Sequence, residues 1–371
     1  MNLNSLKQQN ANELLNLKQS GKKIVGVFCT YAPKELIYAS GAIAISICAY
    51  DESPINEAHK ELPRNLCPLV KASYGYSLSG KCPYMNASDL IIGETTCDAK
   101  KKMFELMANQ REIYVMELPN MTNSSSLNLW KSEILRLKKA LEVKFNTKIT
   151  DEKLADAIEI YNTERSLMAE IMSLPKLDPN PITGSELHDI LFANDFIFDK
   201  KEKFKFLRGL IDKFKEKSKS EFTLKNNKKR LIITGCPSGG VAKKIINEVE
   251  KFNAVVVGFE NCVGSKNFDN LVELKGDLYE NLANRYLKIP CSVMYKNSSR
   301  LEKLKNMIDE FVADGVIDIS LSACHTYAIE AFNVKNSVKE AGASYLHIET
   351  DYSKQDSGQI RTRLEAFCEL L

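Results

Sequence analysis

Ile24-Val25-Gly26-Val27-Phe28-Cys29 is an apolar run of strand length that ends on a cysteine. Thr30-Tyr31-Ala32-Pro33-Lys34-Glu35 follows and opens a helix, with proline in its first turn, that Gly41 ends. Ala42-Ile43-Ala44-Ile45-Ser46-Ile47-Cys48 is a second apolar run. Strand, short helix and strand make a βαβ unit, and that unit requires a parallel sheet. Outward from it, Ser5 to Gln19 carries Leu6, Leu14, Leu15 and Leu17 among polar residues, the pattern of an amphipathic helix. Ser88 to Ile92 is a third strand. Gly93-Glu94-Thr95-Thr96 reads as a turn, with a helix starting at or after Cys97. Ile113 to Pro119 is a fourth strand.

From Ser124 to about Phe214 the period changes. Leu127, Trp130, Ile134, Leu137, Leu141 and Phe145 recur at helical spacing. Thr150-Asp151-Glu152-Lys153 reads as a capped helix start; Pro175, Pro179 and Pro181 break that helix, and a helical pair follows from Ser185 to Lys219. Arg230-Leu231-Ile232-Ile233-Thr234-Gly235-Cys236 then repeats the first pattern, an apolar strand ending on a cysteine. Ala254 to Phe259, Gly315 to Leu321 and Tyr345 to Asp351 are further strands. Val241 to Phe252, Leu301 to Phe311 and Thr362 to Leu371 read as helices. The expectation is an α/β protein of two doubly wound parallel-sheet, Rossmann-like domains, residues 1–123 and 229–371, with a helical insert and linker at 124–228.

The chain has 371 residues, 44% hydrophobic and 27% charged, an ordinary globular composition. A net charge of +3 gives no electrostatic case for nucleic acid. The lysine-rich stretches 200–219 and 225–230 read as solvated faces or linkers. No apolar run approaches the roughly 20 residues that span a bilayer. Met1-Asn2-Leu3-Asn4-Ser5 lacks a basic-then-apolar leader pattern, so a cytoplasmic location is expected.

Ten cysteines, residues 29, 48, 67, 82, 97, 236, 262, 291, 324 and 368, are many for such a protein. In a reducing compartment they point to metal or redox chemistry rather than disulfides. No CxxC occurs, which excludes zinc-finger, zinc-ribbon and local ferredoxin spacings. A site built from these thiols must therefore draw on distant loops. Cys29, Cys97, Cys236, Cys262 and Cys324 each end or closely follow a strand, and open parallel sheets bind ligands beyond the carboxyl ends of their strands. Cys67 and Cys82 each precede a proline. Cys48 and Cys368 read as structural. Gly235-Cys236-Pro237-Ser238-Gly239-Gly240 lacks both the Lys-Ser/Thr ending and the GxGxxG spacing of nucleotide loops. His325 adjoins Cys324, but sequence neighbours seldom form a nucleophile–base pair. His59, His188 and His347 read as surface or packing residues. One zinc site would use at most four of the thiols.

Three motifs carry a resemblance. Leu66-Cys67-Pro68-Leu69-Val70-Lys71, Glu94-Thr95-Thr96-Cys97-Asp98-Ala99-Lys100-Lys101-Lys102 and Ala323-Cys324-His325-Thr326-Tyr327 resemble the cysteine motifs of the 2-hydroxyacyl-CoA dehydratase and benzoyl-CoA reductase subunit family. Cys82-Pro83-Tyr84, Glu260-Asn261-Cys262, Pro290-Cys291-Ser292 and Glu349-Thr350-Asp351-Tyr352-Ser353 are similar to its double-cubane-cluster branch. The resemblance implies an iron–sulfur cluster. A single 4Fe–4S cubane would use Cys67, Cys97 and Cys324; an 8Fe–9S double cubane would add Cys82, Cys262 and Cys291, with Cys29 and Cys236 in reserve. Relatives can carry Cys-Ser-Cys-Met after the proline, whereas Cys291-Ser292-Val293-Met294 lacks the second thiol.

The function implied is the catalytic component of an ATP-coupled, low-potential reductase of small molecules. Its electrons would come from a separate ATP-hydrolysing iron–sulfur activator, and a homodimer is expected. The alternatives are a 2-hydroxyacyl-CoA dehydratase subunit with one cubane and a non-catalytic cluster carrier. His325 is the candidate proton donor, with Glu349 and Asp351 behind it. The substrate is not legible.

Overall fold

The computed structural model describes residues 3–220, 228–236 and 239–371, with side chains from residue 10 to 219 in the first stretch. Strands β1 (Lys23–Val27), β2 (Ala42–Ser46), β3 (Leu90–Glu94) and β4 (Ile113–Met116) form one sheet in the order β2-β1-β3-β4. Strands β5 (Lys229–Gly235), β6 (Ala254–Glu260), β7 (Gly315–Leu321) and β8 (Ser344–Thr350) form a second in the order β6-β5-β7-β8. Every pairing is parallel. The two sheets thus share one topology, and helices flank both: an α/β fold of two Rossmann-like units. Each sheet reverses winding direction at one place, between β1 and β3 and between β5 and β7. Crevices for ligands open at such switch points, beyond the carboxyl ends of the strands.

The strands read as near-continuous apolar runs because both faces are covered; β3 and β7 are buried at every position. One boundary differs from the expected turn at Gly93. β3 continues through Gly93 and Glu94, which pair with Val115 and Met116. A Cβ on Gly93 would lie 2.6 Å from the Phe104 ring, so glycine lets the helix Asp98–Met107 close on the sheet. The last helix, Ser357–Glu369, begins before Thr362 because its first buried residue is Ile360. The helix Leu278–Leu287, N-capped by Asp277, was not legible as a separate element.

Between the sheets in sequence lie helices Ser124–Phe145, Asp151–Ser173, Gly184–Ala193 and Lys200–Ser220. Thr150 accepts from the Lys153 amide at 3.3 Å, and Thr183 forms a capping box with Glu186. Trp130, Leu137 and Ile158 pack into the core of the first sheet, Met168, Leu187 and Leu207 into that of the second. The segment from Val272 to Met294 also packs with the first sheet, although it lies between β6 and β7. The Tyr31 hydroxyl donates to the Ile289 carbonyl at 2.9 Å and ties it there. A buried Arg165–Glu35 ion pair, with Tyr286 Oη donating to Glu35 Oε2 at 2.7 Å, joins the insert to both halves. The stretch 200–219 is solvated on one face only, since Lys203 is buried against Glu164 at 3.0 Å. Residues 225–227 of the second lysine-rich stretch, and Pro237 and Ser238 of the glycine-rich loop, lie outside the described residues. Among the described residues no helix is long and apolar enough to cross a membrane.

Candidate metal centre

A cavity of about 190 Å³ lies where the carboxyl ends of the two sheets meet. The first half contributes Cys29, Cys67 and Cys97 to its wall; the second contributes Cys236, Cys262, Cys291 and Cys324. Local structure explains each position. Cys29 and Cys236 directly follow Phe28 and Gly235 at the ends of β1 and β5, and the Cys236 amide donates to Ile319 O at 2.9 Å. Cys262 follows β6 in a turn where Asn261 Oδ1 accepts from Val263 and Gly264 at 3.1 and 3.0 Å. Cys67, Cys97 and Cys324 are the N-caps of Pro68–Ser79, Asp98–Met107 and His325–Glu340. Three helix N-termini therefore point their free amides and positive dipole ends at one cavity, where they favour thiolate or any other anion. Ala323, ahead of Cys324, has φ +58°, a costly backbone for a residue with a Cβ, and it is found at this site.

The thiols influence one another across the cavity: Cys262 acts on both Cys29 and Cys236, and Cys291 on Cys29 and Cys262. A hydrogen bond between Cys67 and Cys324 holds Cys67 below the usual thiol range and drives Cys324 up. Burial raises Cys29 and Cys236, and pushes Cys262 up to about 12. These are thiols that ionise readily only against a metal. Among the described residues no three His, Cys, Asp or Glu side chains converge closely enough for one metal ion. The seven sulfurs surround a space instead of a point.

Other expected site residues fall as follows. Cys82 does not line the cavity; it N-caps Pro83–Ala87, accepts from the Met85 amide at 3.4 Å and packs in the first half. Cys48 donates to Phe28 O at 2.7 Å, and Cys368 is buried in the last helix. His325 lines the cavity and is exposed to water. Asp351 accepts from the Ser353 amide at 2.8 Å and so caps a turn; Glu349 is exposed.

Two cavity residues were not singled out from the sequence, Lys100 and Tyr327. Each stands three positions after a capping cysteine, Cys97 or Cys324, and that helical offset puts both on the cysteine's side. Lys100 is 9% exposed and its charge is supported by Cys29, Cys48, Cys97 and Glu94 against the cost of burial. Tyr327 Oη accepts from Lys266 Nζ at 3.1 Å and lies 3.9 Å from Cys291 Sγ. Lys266 and Arg300 both pair with the buried Glu260, at 3.1 and 3.0 Å, so a charge network braces the cavity floor. Glu94 is fully buried without a hydrogen bond of normal geometry to its carboxylate oxygens. Burial raises it to about 7; Lys100 and nearby amides of Ala32 and Glu94 offset this only in part.

The sequence of this chain matches the family described as 2-hydroxyglutaryl-CoA dehydratase, D-component, over residues 29–371. The chain belongs to that family. It is 42% identical over 360 residues to the protein named "Putative dehydratase subunit YjiM" of Escherichia coli (strain K12), covering 96% of this chain and 94% of that one. It is 27% identical over 361 residues to the (R)-phenyllactyl-CoA dehydratase beta subunit of Clostridium sporogenes, with 96% and 94% covered. It is 22% identical over 349 residues to one of the benzoyl-CoA reductase subunits of Thauera aromatica, with 92% and 88% covered. Family membership makes the chain an enzyme component of the dehydratase and reductase type, and these relatives are subunits of larger systems.

Proposed function

We propose that this family member is the cluster-bearing component of a low-potential reductase of small molecules, supplied with electrons by a separate ATP-hydrolysing iron–sulfur activator. The observation that carries the reading is the convergence of seven cysteines from both halves on one cavity. A cubane takes at most four protein thiols, so seven exceed the needs of one and suit an 8Fe–9S double cubane. The donor set fits: soft sulfur ligands and helix amides aimed at negative charge. Such a cluster would supply one-electron chemistry at low potential.

Cys67, Cys97 and Cys324, the three helix caps, would hold one half of it. Cys29, Cys262 and Cys291, which line the same cavity, would hold the other. Cys29 thereby takes the position the resemblance offered to Cys82. Cys236, 1% exposed at the end of β5, also lines the cavity and stays in reserve. His325, open to water at the cavity wall, carries protons between solvent and the site.

Iron and acid-labile sulfide on anaerobically purified protein test this. About eight irons per chain support the double cubane, and about four support a single one. Cys29→Ser and Cys97→Ser should lower iron, whereas Cys82→Ser should retain it. Iron unchanged in Cys97→Ser would remove the ligand assignment. Turnover of a small acceptor with activator and ATP separates an enzyme from a carrier. The names of the relatives favour a second reading, a 2-hydroxyacyl-CoA dehydratase subunit with one cubane, which four irons and dehydration of an acyl-CoA would select.

A further inference from the structure

A separate cavity of about 240 Å³ opens beside β6, the edge strand of the second sheet. It shares no residue with the thiol cavity. Gly258, within β6, gives its wall no side chain; a Cβ there would come within 3.2 Å of Met307 Cε. Met172, Leu187, Phe259, Met307 and Phe311 supply an apolar lining. Pockets for drug-sized ligands run to roughly 300–1,000 Å³, so this one suits a single-ring molecule of about ten heavy atoms.

Ser265 is 4% exposed and lines this cavity, yet its hydroxyl has no hydrogen-bond partner among the described residues. Buried hydroxyls are nearly always paired, so one left open on a cavity offers a place for a ligand's polar atom. The charges around the cavity cancel. Lys303 pairs with Asp269 at 2.7 Å; Lys176 pairs with Glu310 and lies 4.8 Å from the centre of the Phe311 ring. No ammonium or carboxylate of the lining is left over for a charged ligand. The lining therefore recognises a neutral molecule that is apolar but for one hydrogen-bonding group, and its two methionines adapt to the shape of the ring.

The cavity also touches the segment that carries one of the thiols. Phe259 and Ser265 stand three residues before and three after Cys262. Between them the chain turns tightly. Asn261 Oδ1 accepts from the Gly264 amide at 3.0 Å, and a Cβ on Gly264 would lie 2.2 Å from the Phe259 carbonyl oxygen. A ligand gripped between Phe259 and Ser265 would restrain both ends of that turn.

We propose that this cavity is an effector site, taking a neutral one-ring molecule through Ser265 and stiffening the turn that presents Cys262. Its bearing on the cluster rests on the cluster reading; the binding itself does not.

4-Ethylphenol, an aromatic ring with one hydroxyl, is the probe. Crystals of anaerobically purified, iron-loaded protein are soaked with it, its affinity is read by calorimetry, and amide hydrogen exchange is followed at residues 260–266. The expected result is the ring between Phe259 and Met307 with its hydroxyl on Ser265, and slower exchange in the turn. Ser265→Ala should weaken binding several-fold without lowering the melting temperature of the free protein, because the hydroxyl it removes is unpartnered. Ala169→Trp, from an exposed helix position at the mouth, should abolish both binding and the slowed exchange. 4-Ethylbenzoate, a carboxylate, should bind far more weakly. The phenol seated elsewhere, affinity unmoved by both substitutions, or exchange in the turn unchanged by bound phenol would each overturn the proposal. Iron and sulfide are counted on the same protein. Their absence overturns the cluster reading itself, whereas iron present with an empty cavity overturns this proposal alone.

Discussion

At the residue scale, two buried groups make opposite demands on the site. Glu94 is an acid held near 7 by burial. Its folded value lies above its unfolded one, so the folded state binds the proton more tightly. The carboxyl therefore destabilises the fold increasingly as pH rises from about 4.5 to about 7, and constantly beyond. Glu94→Gln carries no charge and should lose that slope. Denaturant midpoints should show the variant more stable than the parent by about 3 kcal/mol at pH 8, with no gain at pH 4. An equal difference at both pH values would mean that Glu94 does not titrate in this window. Tyr327 makes the other demand. With Lys266 donating to its oxygen, its own proton is free for the Cys291 sulfur 3.9 Å away. Hydrogen bonds to cluster sulfurs stabilise the reduced state. Tyr327→Phe should retain iron and move the midpoint potential of the loaded protein to a more negative value in an anaerobic titration followed by electron paramagnetic resonance. An unmoved potential would leave Tyr327 a packing residue.

At the element scale, the site depends on how closely neighbouring strands release their loops. Gly235, at φ +115°, is the last residue of β5, and a Cβ there would run into the backbone carbonyl of Ile319 on β7. No side-chain adjustment relieves a clash with backbone. Gly235→Ala should cost about 3 kcal/mol or more, through both the strained φ and the separation of β5 from β7. It should also lower iron content, because Cys236 and Cys324 leave from those two strands; a variant with the parent's melting temperature and iron would contradict this. The strands themselves were legible in the sequence, since buried parallel strands are unbroken apolar runs and their ends were marked by Cys29, Cys236 and Cys324. The continuation of β3 through Gly93 was not, because it depends on the Phe104 ring packing above it. The place of Cys82 was equally hidden. Its Cys-Pro setting repeats that of Cys67, and both cap helices, but Pro83–Ala87 packs within the first half while Pro68–Ser79 starts at the cavity. Which helix start faces the cleft is decided by tertiary packing that local sequence does not carry.

At the scale of the whole molecule, the cavity is shared property. Three of its thiols come from the first half and four from the second. The segment that carries Cys291 belongs by sequence to the second half but packs on the first. A group bound by both sets of thiols would cross-link the two sheets where otherwise only side-chain packing and a few buried polar contacts, such as Tyr31 to Ile289, hold the cleft. Binding to the folded state alone stabilises it, by about 4 kcal/mol when the ligand stands at a thousandfold its dissociation constant. Removing iron with a chelator under anaerobic conditions should therefore lower the melting temperature by several degrees. The local consequence should be larger than the global one, because the unmetallated thiols at the cleft are freed while the two hydrophobic cores remain. Maleimide labelling should accelerate at Cys67, Cys97 and Cys324, which are half-buried, and stay slow at Cys368 in its helix packed on the second core. Labelling that rises equally at Cys368 would mean that the second domain unfolds with iron loss, and that the cluster is part of the core rather than a clasp between two preformed halves.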